Sequence, residues 1–116
     1  MRTRDMRAVP EAGPGFPDGV PFEVTISRRG KNRVVHVCGE IDVATRHLVR
    51  RACLSGWRKS VIVEMSDTTF MDCCGYGGLV AARRALEQHG GSLSVRNQVG
   101  QPAHLLVMLD MLEARN

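Results

Sequence analysis

Aromatic residues make up only 4% of this 116-residue chain. That is too few for the stacking platforms on which single-stranded nucleic acids lie. No apolar run approaches the roughly 18 residues that a membrane-spanning helix needs. The opening MRTRDMRAVPEAGPGFPDGV has arginines but no apolar centre, so it does not read as a secretory signal. A cytoplasmic protein is expected, with thiols kept reduced. The four cysteines, Cys38, Cys53, Cys73 and Cys74, lack the Cys-x-x-Cys or His spacing of a zinc site. The glycine cluster Gly75-Tyr76-Gly77-Gly78 is followed by Leu79 and Val80. The lysine of a phosphate loop and the third glycine of a dinucleotide fingerprint are both missing. No local signature pairs Cys73 with His36, His47, His89 or His104, which argues against a cysteine nucleophile. No metal, cofactor or catalysis is expected.

Acidic residues are scarce in one region. Residues 21–62 carry nine basic groups against three acidic, whereas residues 63–116 carry four against six. Such a basic half suits an acidic partner or nucleic acid, and the simpler reading is a solvated, arginine-rich face.

What is present reads as alternating strands and helices. Residues 1–20 are rich in proline and glycine and poor in apolar side chains, and are expected to be a flexible tail. A domain is expected over residues 21–116. Phe22, Val24 and Ile26 alternate with polar residues as a half-buried strand. Arg28 to Asn32 form a polar turn, and Val34 to Cys38 form a second strand, folded back as a hairpin. Asp42 or Thr45 caps a helix to about Gly56. Ser60 to Met65 is a nearly continuous apolar strand of the kind covered on both faces. A helix from about Gly75 to His89 ends at Gly90-Gly91. A strand around Leu93 and Val95 follows. Pro102 then opens a helix to about Glu113, with Leu105, Leu106, Met108, Leu109 and Leu112 as its apolar stripe. Met65, Met71, Met108 and Met111 read as core, Trp57 as a boundary packing residue, and Arg83-Arg84 as solvated. The order implies an α/β fold with a largely parallel sheet.

In such a sheet, function gathers where strands end at their carboxyl termini. Two segments reach that edge, Gly39-Glu40-Ile41-Asp42 and Asp67 to Gly75. A thiol at a helix start tends toward the reactive thiolate, although the charge of Asp72 opposes this. A bridge from Cys38 to Cys73 or Cys74 is one reading. Small buried thiols that pack like alanine or serine are the plainer one. A bond between the neighbours Cys73 and Cys74 would be strained.

Gly39-Glu40-Ile41-Asp42, the apolar strand after it, and Phe70-Met71-Asp72 before a small pair and Gly75 together resemble the STAS domain. More narrowly, they resemble the bacterial anti-sigma-factor antagonists. The likeness runs from about residue 22 to 113. It implies an α/β fold with a mixed sheet of about four strands and about three helices. It implies binding rather than catalysis: the protein captures an anti-sigma factor, often a serine kinase, and so releases a sigma factor for transcription. No direct contact with nucleic acid or membrane is implied. The docking residues would be Asp42, Thr68, Asp72, Cys73, Cys74, Gly75 and Tyr76. The serine that such a kinase phosphorylates falls on Cys73, where a thiol offers no acceptor. Control would then be lost or pass to another chemistry, with Cys38, Cys73 and Cys74 as redox candidates. The family usually continues with a further strand and helix, whereas this sequence stops at Asn116. An uncovered sheet edge would leave the domain marginal, shortened, or paired with a second copy as a homodimer.

Overall fold

Alternation of apolar and polar residues from Phe22 onward lays down the first long strand, and the rest of the sheet assembles on it. The computed structural model describes residues 6–8, 22–57 and 60–114. A short strand β1 (Met6–Ala8) precedes β2 (Glu23–Arg29), β3 (Asn32–Ile41), helix α1 (Arg46–Leu54), β4 (Ser60–Met71), α2 (Cys73–Gln88), β5 (Ser92–Arg96) and α3 (Gly100–Ala114). The strands lie in sequence order across one sheet. β2 pairs antiparallel with both β1 and β3; β3, β4 and β5 run parallel to one another and are joined through α1 and α2.

Four of these strands and all three helices follow the expectation from sequence. β1 comes from the stretch expected to be a tail, and the rest of residues 1–20 lies outside the described residues. The β2–β3 hairpin closes over Gly30-Lys31, with Arg29 opposite Asn32.

One face of the sheet carries the helices. Val24, Val35, Val37, Val61, Val63 and Met65 point into it and meet Leu48, Val49, Ala52 and Cys53 of α1 and Leu79, Ala82 and Leu86 of α2. Met65 and Met71 are fully buried, as their apolar character suggests. α2 ends with Gly90 N–H donating to Glu87 O at 3.1 Å and Gly91 N–H to Leu86 O at 2.8 Å. This paired pattern satisfies the last helical carbonyls.

β4 is the main departure. The apolar run suggested a strand ending near Met65, but it continues to Met71. The extension is held by β3 through two irregularities. β3 advances from His36 to Cys38 while β4 advances from Glu64 to Asp67, and Gly39 to Glu40 is matched by Thr68 to Phe70. β4 thus carries an extra residue at each bulge, which a periodic pattern cannot announce. Gly39, at φ 108, supplies the backbone that the second bulge requires.

Beyond Glu64, β4 has lost β5 as a partner, since β5 ends at Arg96. The start of α3 takes over there. Gln101 donates Nε2–H to Met71 O at 2.7 Å and accepts Met71 N–H on Oε1 at 2.9 Å. One amide side chain imitates a neighbouring strand. α3 buries Pro102 and Leu106 and partly buries Leu105. Met108 was expected in that stripe but is 58% exposed, because it lies two positions past Leu106 and so on the far side of the helix. Met111, Leu112 and Trp57 fall among side chains outside the described set.

Gln101→Ala leaves both backbone groups of buried Met71 without partners. It is expected to cost about 1–3 kcal/mol in urea unfolding. A change below about 0.5 kcal/mol, the size of an ordinary surface substitution, would refute this role for the amide.

Candidate functional site

Parallel strands place their carboxyl ends on one edge, and there Ile41 of β3 pairs with Met71 of β4. Asp42 and Asp72 therefore leave the sheet side by side, on strands about 4.8 Å apart. Each then shapes the start of a helix.

Asp42 Oδ1 accepts the N–H of Ala44 at 2.9 Å and of Thr45 at 3.2 Å, folding the chain into α1. Thr45 is fully buried and locks this loop: its hydroxyl accepts Asp42 N–H at 2.9 Å and donates to Glu40 O at 2.7 Å. The backbone carbonyl of Asp42 accepts Arg46 N–H at 2.8 Å. Asp72 is the N-cap of α2, with Oδ1 accepting Gly75 N–H at 2.8 Å. Its own N–H donates to Ile41 O at 3.3 Å, tying the two loops together.

Gly75 sits where this tie is tightest. A Cβ there would lie 2.3 Å from Ile41 O and 2.9 Å from Ile41 C. One turn later, a Cβ on Gly78 would lie 3.0 Å from the Cβ of Arg46. The first turns of α2 thus pack backbone against backbone on β3 and α1.

Cys73 and Cys74 occupy the first turn of α2, and both are exposed. Three large apolar side chains stand at the same edge: Val43 is 62% exposed, Phe70 39% and Val99 56%. They follow or end β3, β4 and β5 respectively. Sequence reading placed Phe70 within the edge segment but missed Val43 and Val99, because only the parallel topology brings the three strand ends together. Gln101 was missed as a structural group because its partner is the Met71 backbone, set by tertiary contact, whereas Thr45, read as a possible cap, holds the local Asp42 loop.

Several expected site residues take other places. Thr68, expected at the docking surface, is only 3% exposed, and its hydroxyl donates to Val37 O at 3.1 Å. Gly75 is buried and acts through close packing. Tyr76 is half-buried and lines a shallow cleft with Leu79, Leu93 and Leu106. Cys38 is not brought to Cys73 or Cys74. It alternates with core-facing Val37, so it faces away from the helices, opposite Asp67. It also lies three residues before the end of β3, roughly 10 Å along the strand, beyond disulfide reach. Burial, then Asp67 and Glu23, push the Cys38 thiol pKa up, away from the reactive form. Cys53 is sealed in the core, and burial pushes its pKa up to about 12. Among the described residues no group of three or more His, Cys, Asp or Glu could hold a metal ion.

The opposite face of the sheet carries a separate polar cluster. His36 Nε2 lies 2.8 Å from Asp67 Oδ2, and Asn97 donates to both oxygens of Glu64 at 3.1 and 3.0 Å. Burial works upward on the Glu64 carboxyl, but hydrogen bonds from Asn97 and Ser66, with His36 nearby, hold it below its ordinary value.

The STAS domain family model matches residues 23–114. Among solved structures, the chain is similar to a candidate anti-sigma factor antagonist from Thermotoga maritima, with 13% identity, TM-score 0.66, and 76% of this chain and 79% of that one covered. It is also similar to the anti-sigma factor antagonist SpoIIAA in its unphosphorylated form, with 24% identity, TM-score 0.54, and 68% and 74% covered. A structure of Mglu matches with 19% identity and TM-score 0.57 over 66% of this chain, which spans only 20% of the Mglu chain. At these identities the likeness shows the fold. No curated protein sequence matches.

Two measurements test the geometry. Gly75→Ala is expected to destabilise by about 1–3 kcal/mol through overpacking. Gly77→Ala, where a Cβ meets nothing within 4 Å, should be neutral or stabilising. Equal effects in thermal unfolding would contradict the tight contact. In native thiol titration at pH 8, Cys73 and Cys74 should react first, Cys38 slowly, and Cys53 only after unfolding. Early reaction of Cys53 would contradict its burial.

Proposed function

The chain belongs to the STAS domain family, and from that premise we propose that it is a non-enzymatic anti-sigma-factor antagonist, which captures an anti-sigma factor and so frees a sigma factor for transcription. The observation that carries this reading is the carboxyl edge. Exposed Cys73 and Cys74 stand beside exposed Val43, Phe70 and Val99 on a backbone tied down by Asp42, Thr45 and Asp72. A rigid, partly apolar surface suits a protein partner, because little order has to be created on binding. Among the described residues no helix is long and apolar enough to cross a membrane.

In this reading Cys73 occupies the position that a partner kinase would phosphorylate if it were serine. A hydroxyl kinase finds no acceptor there, so the antagonist stays competent to bind unless a thiol is modified. The exposure of Cys73 and Cys74 favours that second form of control. Cys38 takes no part in it, given its place on the opposite face.

Association of the purified protein with the anti-sigma factors of its source organism tests the proposal. Cys73→Asp adds charge at the centre of the surface and should weaken binding at least about tenfold, as an interfacial like-charge or desolvated charge does. The fold should survive, since an acid in the first turn of a helix is favourable. Cys73→Ser should bind like the parent and become a phosphoacceptor for a partner that is a kinase. Failure of a folded protein to bind any anti-sigma factor would overturn the reading.

A further inference from the structure

α1 is unlike the other helices in how it treats solvent. Leu48, Val49, Ala52 and Cys53 are buried. Arg46, His47, Arg50 and Arg51 are exposed. The whole charged outer face is thus basic, and the first turn holds no acidic residue. Two features make this arrangement unfavourable in isolation. Arg46 and Arg50 stand four residues apart, where like charges repel. Arg46 also lies at the helix start, where the macrodipole disfavours cations. On α2, by contrast, Arg83 faces Glu87 one turn on, at 3.9 Å. Among the described residues, Arg46, Arg50 and Arg51 take part in no ion pair.

This face is continuous with the proposed docking edge. Arg46 directly follows the Asp42–Thr45 loop, and its Cβ is the atom that a side chain on Gly78 would meet at 3.0 Å. From there α1 runs back along the sheet, packed on β2 and β3, toward the hairpin that carries exposed Arg29 and Lys31. A cationic stripe therefore starts beside exposed Val43 and leads away from it.

We infer that the outer face of α1 is a docking surface for an acidic segment of the same protein partner that occupies the carboxyl edge; this inference rests on the proposed function. An acidic protein segment fits better than nucleic acid. The arginines Arg46, Arg50 and Arg51 sit on a nine-residue helix, about 13 Å long, a short track beside the extended phosphate backbone that a duplex presents. The neighbouring exposed Val43 and Phe70 offer apolar contact, which a phosphate backbone cannot use. Carboxylates on the partner would relieve the repulsion along α1 and steer the approach.

The test uses the full chain and the double variant Arg46→Glu/Arg50→Glu, with Arg46→Gln/Arg50→Gln as a milder second variant and circular dichroism as the check on folding. Association rates with the source organism's anti-sigma factors are measured at low and high salt. Labelled decaglutamate and a labelled DNA duplex of equal charge are titrated in parallel. The charge reversal should slow association by about tenfold at low salt, and high salt should erase most of the difference. Decaglutamate should bind the parent at low salt and be lost in the variant. Unchanged association in the variant overturns the acidic-segment surface while leaving the docking edge standing. So does a parent that ignores decaglutamate. Duplex DNA that binds more tightly than decaglutamate, through the same arginines, also overturns it, in favour of nucleic acid. If no anti-sigma factor binds but decaglutamate still binds through Arg46 and Arg50, the functional reading fails and the acidic-ligand surface stands.

Discussion

The working edge of this protein depends on how closely the first turn of α2 can approach the end of β3. Only a hydrogen fits on Gly75, because a methyl group would meet the carbonyl of Ile41 well inside contact distance. That approach lets Asp72 donate its N–H to Ile41 O while its carboxylate caps the helix. Because Ile41 leads directly into Asp42, the same contact fixes where the loop before α1 begins. Thr45 then completes the lock from the other side through Asp42 N–H and Glu40 O. Two loops that could each move alone become one backbone unit. The polar side chains most suggestive of chemistry, Asp42 and Asp72, spend their hydrogen bonds on holding this unit together.

The second constraint is the irregular pairing of β3 with β4. The extra residues on β4 turn Thr68 inward, where its hydroxyl reaches Val37 O, and leave Phe70 partly in solvent. Without them, β4 and β3 would end out of step, and Asp42 and Asp72 would not leave the sheet together. Gln101 protects the far side of this extension by pairing with Met71. The edge is thus stiff on both flanks while presenting apolar carbon and two thiols outward. Beside it, α1 presents only positive charge. In the proposed association, contact and desolvation at the edge and steering from the helix are separable contributions, the first acting mainly on dissociation and the second on encounter.

Much of this was readable locally. The hairpin, the Gly90-Gly91 helix end, the start of a helix after Asp72, and the burial of Met65 and Met71 all follow from short-range rules of turn chemistry, capping and periodicity. The match of Gly39 to Asp42 with Phe70 to Gly75 located the edge before any coordinate did. The errors fell where residues distant in sequence compete for the same backbone. Thr68 looked like an exposed hydroxyl until a bulge turned it inward. Met108 looked like core until Pro102, Leu105 and Leu106 claimed the packed side of α3. Cys38 seemed able to meet Cys73 until strand alternation put it on the other face.

The sequence by itself determined the types of the main strands and helices, the α/β class, and the excess of positive charge over residues 21–62. Each of those is a property of neighbouring residues, or of composition. Only the tertiary structure decided which thiols meet solvent, that Gly75 serves contact rather than flexibility, and that Val43, Phe70 and Val99 share one edge. Those outcomes depend on register, bulges and crossover connections. Such features pair atoms thirty or more residues apart, and no local pattern encodes them.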